Sequence, residues 1–497
     1  MNTAPTRSLK RLLTETGRIS PAYLLTVAAC FTLLAGGCSQ PLGLGSGTGQ
    51  FPEGGAGGGF NSNPNSTGPT LAGLRARSGN PGVESGLRVS PSAKWTLKVD
   101  PGAAMIAGKQ IPITQPGVLN ETPAPETTVT GESIVLPDAS TSSADHGVPL
   151  KALISGGATL PNALDPISVA VWSAAAPPRH LYKKDVDYLL DPVWGELSRK
   201  PGGAIPVGQP VFVDYKVRQM RLDTIELRTD GTLQLKKGVP ARTAPEAPEA
   251  DKDTLALATV YLSYNTDRLT ADSIFPVGSP LPAPTEQERK AMVAEVSHTR
   301  AKLQANSKVT IVFWGDSVTE GQALSDPSQR FPDLVAKALE GEFKGANLNV
   351  VNAGAAGANI QQRLPSLDKD VLSHHPDLVV VEFVNDSGLT AQELKKDYTA
   401  AVDQMKKAGS EVILTTPNFV MPKMMGIKSL RGKDNRPDVK VIREVARAEN
   451  VGLADVSRQW EHLADEGIPY TALLANGVNQ PDSRGQAIYA QTIEKFF

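Results

Sequence analysis

An apolar run, Val309-Thr310-Ile311-Val312-Phe313-Trp314, ends abruptly in Gly315-Asp316-Ser317-Val318-Thr319-Glu320-Gly321. A β-branched and aromatic stretch stopping in small and polar residues predicts a strand-to-helix turn carrying Ser317. Its hydroxyl then stands at the carboxyl end of a sheet, where open α/β folds place their ligands. A serine so placed can act as a nucleophile on an ester, provided a base takes its proton and N–H donors receive the developing oxyanion. Two later segments offer small or amide-bearing residues straight after predicted strands. They are Val351-Asn352-Ala353-Gly354-Ala355-Ala356-Gly357-Ala358 and Val379-Val380-Val381-Glu382-Phe383-Val384-Asn385-Asp386. Glycine lets a backbone N–H approach a substrate unobstructed, although strand ends use glycine and Asn-Asp in ordinary turns as well.

In this order, these segments resemble the first three sequence blocks of the SGNH (GDSL-type) hydrolases, a family of esterases and acyl hydrolases. The resemblance covers about the last two-fifths of the chain. It implies Ser317 as nucleophile, with its own N–H, Gly357 (rather than Gly354) and Asn385 forming the oxyanion hole. Phe383 stands where the family usually has glycine, so a differently bent loop is expected there. The last block reads Asn476-Gly477-Val478-Asn479-Gln480-Pro481-Asp482-Ser483-Arg484-Gly485, then Ile488-Tyr489-Ala490. Its proline, glycine and helix start match the family, which puts Gln480 at the histidine position and Asn476 at the aspartate position. An amide oxygen is far too weak a base to deprotonate serine. Of the six histidines, His146, His180, His298, His374 and His375 belong to other segments. His462 lies nearer the last block but in no recognisable motif, and Asp482 is a candidate to orient a water.

The elements needed to hold these residues are legible. Strands are expected at 309–314, 348–351, 378–383, 411–415 and 452–456, alternating with helices such as Thr390–Ala408, Pro437–Glu449 and Ser483–Phe497. Continuous apolar strands between amphipathic helices imply a parallel sheet covered on both faces. The expected fold class is α/β, a three-layer α/β/α flavodoxin-like unit over 285–497, opening with a capping box at Thr285-Glu286-Gln287-Glu288. Before it, 276–284 reads as a Pro-rich linker, and 92–275 as an all-β, sandwich-like domain whose first part, 100–150, could equally be linker. Strands are expected at Ile167–Trp172, Val211–Val217 and Leu255–Ser263, with a hairpin turning at Asp230-Gly231. Trp172, Tyr182, Tyr188 and Trp194 could stack on sugars or fill the core.

Arg7, Lys10, Arg11 and Arg18 precede an apolar run from Ala22 to Leu34 that is short for a bilayer span. The run ends in Leu34-Ala35-Gly36-Gly37-Cys38, which resembles a bacterial lipoprotein signal with Cys38 as the lipidated residue. This implies a signal peptide over 1–37, a Gly/Ser/Pro-rich tether over 38–91, and a cell-envelope location, lipid-anchored to a bacterial membrane and facing outside the cytoplasm. Cys30 and Cys38 are the only cysteines, so neither disulfides nor thiolate metal sites are expected beyond them. A 497-residue chain, 40 % hydrophobic and 21 % charged with formal net charge −2, is of globular type with no basic excess to suggest nucleic acid. No metal motif, phosphate loop or dinucleotide fingerprint implies a cofactor. The substrate class implied by the resemblance is a small-molecule or glycan ester, acyl or O-acetyl. The competing expectation is a catalytically impaired relative that binds acylated or glycan ligands.

Overall fold

The computed structural model describes residues 82–139 and 147–497. Cys38, the expected signal segment and nearly all of the expected tether lie outside them, as does His146.

The chain is mixed α/β, with a β-rich N-terminal region and a parallel sheet in the C-terminal region. The C-terminal sheet has five strands: β1 (Lys308–Gly315), β2 (Asn347–Gly354), β3 (Leu378–Glu382), β4 (Glu411–Thr415) and β5 (Gly452–Ala454). They run parallel in the order β2-β1-β3-β4-β5. The central strand β1 is buried from Val309 to Gly315, and its side chains divide between two apolar clusters. Ile311 and Phe313 join one with Val335, Leu339, Ile488 and Tyr489. Val312 and Trp314 join the other with Leu394, Tyr398, Val441 and Ile442. Alternate residues of a strand face opposite ways, so both faces of the sheet are covered, which explains why its strands read as continuous apolar runs.

The expected strands and helices form with end shifts of a few residues. The capping box forms, with Thr285 accepting from the Glu288 N–H and Glu288 receiving the Thr285 N–H. The helical stretch it opens breaks at Glu295-Val296 into Glu286–Ala294 and Ser297–Gln304.

The β-rich region differs from the sandwich expected. Among the described residues its strands begin with Val83–Gly86 and Val89–Ala93, overlapping the segment read as tether, and continue through Glu126–Val135. Two cores form instead of one. Residues from Leu87 to Leu119 pack with Ile225, Leu255 and Val260. The chain between them, from Ile134 to Val217, builds the second around Leu153, Leu164 and Tyr215. Pairing of Glu126–Val135 with Pro210–Arg218 returns the chain to the first unit. The hairpin pairs as predicted, Leu227 opposite Leu233, with Gly231 at φ 83°. Tyr182 and Tyr188 are buried core residues. The Trp172 ring lies under the Arg179 guanidinium, 3.9 Å from its centroid, and its Nε1 donates to Asp214.

The linker does not separate independent bodies. Met220, Leu222, Tyr261 and Phe275 from the β-rich region form one apolar cluster with Ala464 and Ala472. Arg484 donates across the same seam to the carbonyls of Ala244 and Pro245.

Candidate active site

Three turns converge where β1, β2 and β3 end. Asp316 caps the one-turn helix Ser317–Glu320, accepting from the Val318 N–H with one carboxylate oxygen. Its other oxygen accepts from the Asn385 N–H at 2.9 Å, tying the serine turn to the turn after β3. Asn385 Nδ2 donates to the Ala358 carbonyl at 3.3 Å, which ties in the turn after β2. That turn begins where the Ala355 N–H donates to the Gly315 carbonyl. A carboxylate with two acceptor oxygens is the group that can staple two backbone segments at once.

Within this frame the N–H groups of Ser317 and Gly357 make no hydrogen bond with the described residues. Gly357 has φ 71° with open space where a side chain would project, whereas a Cβ on Gly354 would lie 2.3 Å from the Glu320 nitrogen. Gly354 therefore serves close packing, and Gly357 is uncrowded. The N–H groups of Ser317 and Gly357 and the second amide hydrogen of Asn385 have no hydrogen-bond partner among the described residues. Phe383 is buried edge-on against Trp314, with ring centroids 4.9 Å apart, and the chain then turns through Val384–Gly388.

The loop before the last helix closes the site. Gln480 Nε2 donates to Ser317 Oγ at 2.7 Å. Asn476 Oδ1 accepts from the N–H groups of Val478, Asn479 and Gln480, each at 3.0 Å. Asn476 thus fixes the backbone that presents Gln480, and no hydrogen bond joins it to the Gln480 side chain. Its own Nδ2 reaches Asn479 Oδ1 at 3.2 Å, and Asn479 Nδ2 reaches Asn385 Oδ1 at 3.5 Å. Asn479 joins the site with no part expected for it from the sequence. An asparagine one residue before a predicted site residue carries no signal of its own.

Asp482 does not face the serine. It caps the last helix through the N–H groups of Arg484 and Gly485 and pairs with the Arg484 guanidinium. His462 is likewise committed elsewhere, with Nε2 on the Ser279 carbonyl at 2.9 Å and Nδ1 near Asp465. His374 and His375 are exposed. Among the described residues, none of the hydrogen bonds made by Ser317 Oγ involves an imidazole or a carboxylate.

Beneath the turns lies a group of buried carboxyls. Burial pushes Asp316 up to about 7, against the pull of the Val318 and Asn385 N–H groups. Burial, then the neighbouring Asp316, raises Glu382, which receives the Thr319 hydroxyl. Burial also raises Asp386, which holds the Ile360 N–H and the Tyr398 hydroxyl. No group of His, Cys, Asp and Glu suited to a metal ion occurs among the described residues.

Residues 313–488 match the GDSL-like lipase/acylhydrolase family. This GDSL-like region contains all three turns and the closing loop. A second family model, a domain of unknown function (DUF4815), matches 195–298. No curated protein matches the chain. Solved structures similar to it include a two-domain esterase (CEX) active on acetylated mannans, at 23 % identity and a TM-score of 0.35. That match covers 41 % of this chain and 52 % of the other, so the chain spans about half of that esterase. An acetyl xylan esterase, AlAXEase, is similar at 22 % identity and a TM-score of 0.32, over 37 % of this chain and 97 % of the other. An acetylxylan esterase from Geobacillus stearothermophilus, Axe2, is similar at 19 % identity and a TM-score of 0.31, over 37 % and 91 %.

Proposed function

We propose that this chain is an SGNH-type, ester-hydrolase-like protein of the bacterial cell envelope, acting on acyl or O-acetyl esters, glycan esters included, through Ser317. The observation that carries this reading is the convergence of Ser317, Gly357 and Asn385 at the ends of three adjacent strands. The ester carbonyl lies against the N–H groups of Ser317 and Gly357 and the Asn385 amide, which polarise it and hold the oxyanion formed when Ser317 Oγ attacks. With Gln480 donating to that oxygen, its proton must pass to water, and turnover is slow. Donor placement alone still accelerates such reactions over water when a triad member is absent. The apolar clusters on the two sheet faces support the three-layer α/β/α arrangement for this unit.

A second reading, an acyl-ester or carboxylate receptor without hydrolysis, is favoured specifically by the Gln480 contact, in which an amide N–H donates to the serine oxygen and no base stands ready for its proton. Turnover of 4-nitrophenyl acetate by the full chain tests the choice. Slow hydrolysis that disappears in Ser317→Ala supports the esterase reading. Equal rates in both proteins overturn it. The envelope location rests on Cys38 and its flanking residues. Changing Cys38→Ala should move the protein from the membrane to the soluble fraction, and unchanged fractionation would refute the anchor.

A further inference from the structure

The β-rich region reaches the site directly. Ile154–Ser155 and Ala158–Thr159 form a two-stranded hairpin, with Ser155 opposite Ala158. Its turn is Gly156-Gly157, at φ 52° and 78°, a conformation that glycine alone adopts without strain. The hairpin is rooted in the second β core by Leu153 and Leu160, both fully buried. Arg242 donates to the Ile154 carbonyl at 2.5 Å.

From this base the hairpin meets the closing loop beside Gln480. Ser155 Oγ donates to the Ala475 carbonyl at 3.0 Å. The Ala475 N–H in turn donates to the Gln480 carbonyl at 2.8 Å. A Cβ placed on Gly156 would lie 3.1 Å from Asn476 Cβ and 3.2 Å from Ala323 Cβ. The turn therefore spans two segments, the loop presenting Gln480 and the stretch that follows the Ser317 helix. Across the loop, Gly477 faces Pro161 and Leu160.

We propose that Ser155 and Gly156 are positioning residues for the chemistry at Ser317, holding the 475–480 loop so that the side chain at position 480 meets the serine oxygen. The proposal rests on the reading of Ser317 and position 480 as the reacting pair. It makes the β-rich region part of the site, with Ser155 acting through Ala475 and Gly156 through the width it leaves between Asn476 and Ala323.

The test uses the full chain and two readouts. Amide hydrogen exchange across 475–480 should quicken about fivefold in Ser155→Ala, the effect of one lost hydrogen bond, and return to the parent rate in Ser155→Thr. Gly156→Val, crowded and unfavourable at positive φ, should quicken it further. In a Gln480→His background, Ser155→Ala should lower kcat for 4-nitrophenyl acetate about fivefold, with KM within about twofold. Exchange within about twofold of the parent in both Ser155→Ala and Gly156→Val, with the melting temperature retained, overturns the proposal. So does faster exchange with kcat unchanged. If no variant shows Ser317-dependent turnover, the esterase reading fails, and the exchange measurement alone decides whether the hairpin holds the loop.

Discussion

The amides of Asn479 and Asn385 face each other, Nδ2 of the first 3.5 Å from Oδ1 of the second. An amide whose oxygen is engaged on one side presents its N–H groups on the other. Asn479 thereby leaves the Asn385 Nδ2 free to donate to the Ala358 carbonyl.

Removing that donor with Asn385→Ala should lower kcat for an aryl acetate about 100-fold or more, with a small change in KM, measured in a Gln480→His background where rates are easily read. Asn479→Ala should cost about tenfold or less, because it loosens the donor without deleting it. Equal losses in the two variants would contradict this assignment.

Gln480→His should supply the missing base and raise Ser317-dependent turnover at least about 100-fold. Asn476→Asp should add little to it, because Asn476 Oδ1 accepts from three backbone N–H groups and no hydrogen bond joins its side chain to that of residue 480. Adding Ser317→Ala should abolish the gain. Steady-state kinetics of the single, double and triple variants decide between this order and an equal contribution from both positions.

Asp316 carries a signature in pH. Burial raises its folded pKa to about 7 from 3.8, so above pH 4 the folded chain holds a proton that the unfolded chain has released. Folding stability from this group is therefore greatest at low pH, falls as pH rises between the unfolded and folded pKa values, and levels off above the folded one. Asp316→Asn should be less stable overall, since one amide oxygen cannot serve both the Val318 and Asn385 N–H groups. It should also show a shallower decline between pH 5 and 7. Parallel slopes for the two proteins in denaturant titrations would refute the buried proton.

The two regions should unfold together. Phe275 is fully buried at the seam, and Phe275→Ala should cost about 3–5 kcal/mol while keeping one calorimetric transition. A piece comprising 285–497 alone exposes the apolar surface around Ala464 and Ala472 and should aggregate. Two separate transitions in the full chain would contradict a shared core.

Much of the C-terminal region could be read from residues alone, because strands buried on both faces announce themselves as unbroken apolar runs and caps such as Thr285-Glu288 have fixed spacing. Ser317, Gly357, Asn385 and Gln480 were singled out by the resemblance of their segments to the SGNH blocks, and each lies shortly after a strand or before a capped helix. What could not be read was lateral. Nothing in Gly156-Gly157 distinguishes a hairpin tip that touches another region from one in solvent. Short strands of few residues likewise left the strand from Val83 hidden in a Gly/Ser-rich context. Asp482 read as a site residue because it neighbours one, yet the end of a helix claims its carboxylate first.

The cradle around Asn476 has an evolutionary side. Three convergent N–H groups would hold a carboxylate at least as well as an amide oxygen, so the loop keeps its shape whether position 476 is charged or neutral. On the reading of Ser317 and position 480 as the reacting pair, exchange of one or two side chains would alter the chemistry there and leave the scaffold unchanged.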